Sequence, residues 1–104
     1  MNKNELEKAI FTTIVKNGVD SSKDIGNDDN PMEDKVYTRR ININARYKDT
    51  EIVCVSITSD TPSFDDPTNE NMTRINAKNS RGMWCNIFTN EATKDMLEFI
   101  YSKL

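Results

Sequence analysis

The chain contains no histidine, and that absence narrows the available chemistry at once. Ser-His-Asp and Cys-His catalysis, histidine-ligated zinc or iron, and the usual near-neutral proton shuttle all need an imidazole. Glycine is scarce as well. With Gly18, Gly26 and Gly82 as the full complement, neither a dinucleotide fingerprint nor a phosphate-cradling loop can be assembled. No apolar run approaches the ~20 residues that a membrane-spanning helix needs. Glu5, Glu7 and Lys8 break the N-terminal stretch where a secretion signal would be apolar, so a cytoplasmic protein of a bacterial host cell is expected, with no membrane partner. The sequon Asn71-Met72-Thr73 then reads as incidental.

Cysteine is limited to Cys54 and Cys85, far apart in the chain and without a second pair near either. Zinc sites use four ligands with closely spaced cysteine pairs, so both thiols are read as small apolar side chains in or near the core. No nucleophile elbow or paired-cysteine redox motif occurs, and adjacent acids such as Asp65-Asp66 are too common in acidic stretches to mark a glycosidase. The expectation is a protein that is not an enzyme and needs no cofactor or metal.

What is present is a chain of 104 residues, 36% hydrophobic and 30% charged, enough for one domain around one modest core. Leu6, Ala9, Ile10, Thr13 and Ile14 recur at three- and four-residue steps, which predicts a helix over 4–17. Asn4 and Glu7 have the spacing of a cap with a reciprocal glutamate, and Gly18 is expected to end the helix in a left-handed conformation. Residues 18–35, rich in Asp, Asn, Ser and Gly, read as a loop. From Tyr37 the period becomes two: Ile41, Ile43 and Ala45 share one face with Tyr37 and Tyr47, while Arg40, Asn42, Asn44 and Arg46 share the other. A turn at Lys48-Asp49-Thr50 leads to a second strand over 51–58, with Val53, Val55 and Ile57 inward and Ser56 and Thr58 outward. After a polar loop over 59–71 comes a strand from Met72 to Lys78 with Ile75 inward and Arg74, Asn76 and Lys78 outward. The turn Asn79-Ser80-Arg81-Gly82 precedes a last strand from Met83 to Phe88, in which both parities are apolar. Thr89 or Asn90 is expected to cap a final helix with a stripe of Met96, Leu97, Ile100, Tyr101 and Leu104. The order α-β-β-β-β-α predicts an α+β fold, a four-stranded antiparallel sheet with both helices on one face and the other face open.

Charge is segregated along the chain. The net value is −3, yet the strands are cationic and the two long loops anionic. The acids Asp24, Asp28, Asp29, Glu33 and Asp34 in the first loop, and Asp60, Asp65, Asp66 and Glu70 in the second, are candidates for docking a basic partner such as a nuclease or defence protein. Their spacing misses the calcium-loop pattern. Phe64 and Trp84 are candidate aromatic anchors, although a lone tryptophan in a small domain more often lies in the core. With thirteen asparagines and no catalytic signature, the leading expectation is a small protein-binding module. It is read as a bacterial or phage inhibitor, immunity or counter-defence protein that blocks a partner through these acidic loops. A homo-oligomeric structural or assembly subunit is the first alternative. The second is nucleic-acid or nucleotide binding through the outward residues Arg40, Asn42, Asn44, Arg46, Arg74 and Lys78. The acidic balance, and the placing of Tyr37 and Tyr47 on the apolar face, argue against nucleic acid.

Overall fold

A computed structural model describes residues 1–20, 23–24, 35–59 and 73–104. The first helix, α1, spans Lys3–Asn17 and buries Leu6, Ile10 and Ile14 at four-residue steps. Its cap is Asn2 rather than Asn4. The Asn2 Oδ1 accepts from the Glu5 N–H at 2.8 Å, and the Glu5 Oε1 accepts from the Asn2 N–H at 2.9 Å. Both Asn2-x-x-Glu5 and Asn4-x-x-Glu7 spell the motif. The earlier start gains a helical bond from the Leu6 N–H to the Asn2 carbonyl, at 3.0 Å. Asn2→Ala should therefore cost about 1 kcal/mol of stability, read as a lower urea midpoint with an unchanged slope.

Gly18 ends α1 for a different reason than expected. Its backbone is extended, with φ −71° and ψ 158°, so no left-handed conformation is involved. A Cβ there would overlap the Ile14 carbonyl oxygen and the Arg39 side chain, so glycine serves close approach. The helix end needs that room because the Arg39 guanidinium donates to the Val15 carbonyl and its Nε bridges to Asp20 at 2.7 Å.

The sheet has six strands: β1 (Val19–Asp20), β2 (Lys23–Asp24), β3 (Lys35–Tyr47), β4 (Thr50–Ser59), β5 (Thr73–Lys78) and β6 (Trp84–Phe88). All pairings are antiparallel, in the order β1-β3-β4-β5-β6, with β2 also paired to β3. The sheet is thus five strands across, not four, because part of the segment read as a loop returns along β3. Without β1 and β2, the 13-residue β3 would present a long free edge. The β3–β4 hairpin turns at Lys48 with φ +54°. The β5–β6 turn uses Gly82 at φ +77°, while the Asn79 Oδ1 accepts from the N–H groups of Arg81 and Met83 at 2.9 and 3.0 Å.

Two bulges set the faces. Between Asn42 and Ala45, β3 carries one residue more than β4, and Asn44 there takes φ +51°, which asparagine tolerates better than most residues. Between Ile52 and Cys54, β4 carries one residue more than β5. The second bulge corrects the expected inward set: Ile52 is fully buried, while Val53 is half-buried and borders the opposite face. Val55 and Ile57 are inward as expected, as are Ile75 and Ala77.

A short 3-10 turn at Thr89–Glu91 leads to α2, Lys94–Ser102. Its cap is Thr93, whose hydroxyl accepts from the Met96 N–H at 3.2 Å, and not Thr89 or Asn90. Thr89 is instead buried in the 3-10 turn, and the Asn90 carbonyl accepts from the Lys3 Nζ at 2.8 Å, tying the two helix starts together. Leu97 and Ile100 are buried, and the Phe99 ring packs on Tyr47 with centroids 5.2 Å apart. Tyr101, expected in the stripe, is exposed. Leu6, Ile10 and Ile14 of α1 join Leu97 and Ile100 of α2 and the inward side chains of the sheet in one core, which places both helices over the same face.

Candidate functional site

The strand registers lay out the other face row by row. One row runs Val19, Arg40, Ser56, Arg74, Phe88 from β1 to β6. The next runs Asn42, Cys54, Asn76, Asn86, and a third runs Arg46, Glu51, Lys78, Trp84. Two rows therefore combine cations with an aromatic ring, and the row between them carries three amides. Four cations face one carboxylate, Glu51, and none of the four makes an ion pair among the described residues.

The centre of this face is concave, with a cavity volume of about 330 Å³. The shape follows from side-chain size. Cys54 and Ser56 on the central strand are short and form the floor, 9% and 7% exposed. Arg40 on one side and Trp84 on the other are long and form walls. The bulge at Val53 adds local twist. Asn76 is fixed across the floor: its Nδ2 donates to the Ser56 Oγ at 2.8 Å and to the Cys54 Sγ at 3.2 Å. Both of its donor hydrogens are thereby used, which leaves the amide oxygen as the free group. Asn42 and Asn86 are exposed and border the same cavity.

The aromatic rings are already engaged with cations. The Lys78 Nζ lies 4.9 Å from the Trp84 ring centroid, and the Arg74 guanidinium lies 5.3 Å from that of Phe88. The Arg74 Nε is buried and has no hydrogen-bond partner among the described residues. An orphaned donor of this kind costs about 1–3 kcal/mol.

Of the residues singled out in the sequence, Arg40, Asn42, Arg46, Arg74 and Lys78 all lie on this face as expected. Asn44 is exposed within the bulge and does not border the cavity. Trp84 is not a core residue: it is 60% exposed. Tyr37 and Tyr47 do pack against the core, but Trp84 and Phe88 supply aromatics to the open face from β6, so the objection to nucleic acid based on missing rings falls. Asp24 belongs to β2, while Asp28, Asp29, Glu33, Asp34, Asp60, Phe64, Asp65, Asp66 and Glu70 lie outside the described residues. Cys54 and Cys85 are free thiols on opposite faces of the sheet, a placement that does not allow a disulfide between them. Sequence reading took Ser56 and Asn76 as outward residues only and passed over Asn86, and all three border the cavity.

Among the described residues, no group of three or more Cys, Asp or Glu side chains is placed to hold a metal ion, and no helix is long and apolar enough to cross a membrane. Fold and site together define an α+β module with one helix-covered sheet face and one face left open. No protein-family model matches the chain, no curated protein matches it in sequence, and no solved structure matches it.

Proposed function

We propose that the chain is a non-catalytic binding module whose working surface is the open face of the sheet, and that its partner is an anionic macromolecule. The observation that carries this reading is the row arrangement itself: Arg40, Arg46, Arg74 and Lys78 converge on one face beside an exposed tryptophan. Arginine suits carboxylates and phosphates alike, because its planar fork offers paired donors to either. A rigid sheet presents these groups with little further loss of freedom, and occluding a partner requires nothing more. An inhibitor, immunity or counter-defence role fits such a surface, with the contact moved from the acidic stretches to the basic face.

The acidic stretches matter to this reading through long-range charge. With a net charge of −3, the whole molecule repels an anion at distance. Attraction by the face operates within about one Debye length, ~10 Å at 0.1 M salt. Binding to a polyanion such as heparin or poly-glutamate should therefore be measurable at low salt and weaken steeply as salt rises. Anisotropy of a labelled polyanion at two ionic strengths tests this, and no binding to any polyanion at the lower one would refute it.

A second reading, self-assembly, has its own observation. The outer strand β6, Trp84-Cys85-Asn86-Ile87-Phe88, contains no charge and no proline, the usual guards of a free edge. Light scattering of the chain alone distinguishes the two, since edge pairing would give a species heavier than the 12.0 kDa monomer.

A further inference from the structure

We infer that the cavity on the open face is a nucleobase site, and that the anionic partner is single-stranded nucleic acid. This rests on the proposal that the open face is the working surface, and it names the ligand class. A carboxylate-rich protein surface would need the cations only. It gives no reason for the other half of the site, which is built from amides and aromatic rings.

Each part answers to a part of a nucleotide. Trp84 walls the cavity with an indole that is 60% exposed, a platform on which a base can stack. Asn42 and Asn86 border the same space with amides that offer both donors and an acceptor, the pattern needed to read a base edge. Between them, the Asn76 oxygen stays free because its amino group is held by Ser56 and Cys54. Arg40 borders the cavity and Arg74 lies two strands away in the same row, so guanidinium groups stand near the base for its phosphates. The volume of about 330 Å³ sits at the lower end of the range for small-ligand sites, ~300–1,000 Å³.

The second ring extends the site along the strand. Phe88 stands four residues from Trp84 on the same face of β6, about 14 Å away at 3.4 Å per residue. Asn86 lies between them, so two bases could be held with an amide at the step between. A duplex keeps its bases stacked inside and cannot present their faces to these rings, which is why a single strand is required.

The test uses the intact chain and its only tryptophan as the reporter. Short RNA and DNA oligonucleotides of about a dozen residues, within the ~4–16 nucleotides a comparable single-strand-binding domain covers, are titrated beside an abasic oligonucleotide of equal length and poly-glutamate. Oligonucleotides with bases are expected to quench Trp84 fluorescence and to bind more tightly than the abasic strand. The share of the base stacked on Trp84 should be roughly fivefold to a hundredfold, the worth of one stacked base. Trp84→Ala should remove that advantage, followed by anisotropy of a labelled oligonucleotide, and Trp84→Phe should keep most of it. Equal affinity for the abasic strand without quenching would overturn the base site, as would poly-glutamate binding as tightly as the oligonucleotides. Either result leaves the basic face standing as a binding surface. Failure of every polyanion to bind would overturn both.

Discussion

Ile75→Ala is expected to lower the unfolding free energy by about 3–4 kcal/mol, in the middle of the range for buried isoleucine truncations. Ile75 is fully buried at the centre of the inward row Ile41, Val55, Ile75, Ile87, which crosses β3 to β6. Its neighbours on both adjacent strands are β-branched and stiff at χ1, so they cannot lean into the void. Ile75 belongs to the one core that also holds buried side chains of both helices, so the void would open in that shared core. Domains of this size are stable by only about 5–15 kcal/mol, so the loss is a large share of the total. At about 4–8 °C per kcal/mol, the melting temperature should fall by roughly 12–32 °C. Asn86→Ala, one position along β6 from the inward Ile87 but on the open face, should change stability by less than about 0.5 kcal/mol. Urea unfolding of the two variants against the parent chain checks both values. A loss at Ile75 below that at Asn86 would mean that the helices cover the other face.

The inward row was legible because alternation on β3 is strict: Ile41, Ile43 and Ala45 against Arg40, Asn42 and Arg46. It survives its bulge because Ile43 and Asn44 together stand opposite Val53, and Asn42 and Ala45, three positions apart, still fall on opposite faces. On β4 the run Ile52-Val53-Cys54-Val55 is apolar at every position, so nothing in the sequence marks where one residue is added. Only pairing with β5 decides that Ile52 goes inward and Val53 does not. The facing of β6 carried a usable signal in the hairpin. A turn at Asn79–Gly82 that pairs Lys78 with Trp84 must put Trp84 on the outward side with Lys78. That argument outweighs the general habit of tryptophan to be buried. The short strands β1 and β2 left no pattern to read, since two residues are fewer than one full alternation. The cations of the site were therefore visible in the sequence. The cavity was not, because it arises from short side chains on β4 lying between long ones contributed by β3 and β6.

Reversing charge at the two arginines of one row, Arg40→Glu with Arg74→Glu, should weaken binding to an anionic partner by at least a hundredfold. Hydrogen bonds to charged groups are worth about 1.5–3 kcal/mol, a factor of ten or more for each arginine lost, before the repulsion from each new carboxylate is counted. The two side chains lie in the row with Ser56 between them, two strand spacings or about 10 Å apart. That is close enough for both to act on one chain of phosphates. The control is Lys8→Glu with Lys16→Glu, on the exposed positions of α1 behind the sheet. It changes the net charge by the same amount but leaves the open face intact. If attraction came from the overall charge, the two double variants would lose equal affinity. If it comes from the face, the helix variant should stay within about threefold of the parent at 0.1 M salt, because its charges lie beyond a Debye length of ~10 Å from the bound anion. The salt dependence separates the cases again, since removing two phosphate contacts should flatten the slope of log affinity against log salt by about 1.4 for a single strand. An unchanged slope in the arginine variant would show that these side chains do not meet the polyanion. The folded state should tolerate both changes: Arg40 is exposed, and among the described residues Arg74 gives up its contact with the Phe88 ring and an Nε without a hydrogen-bond partner.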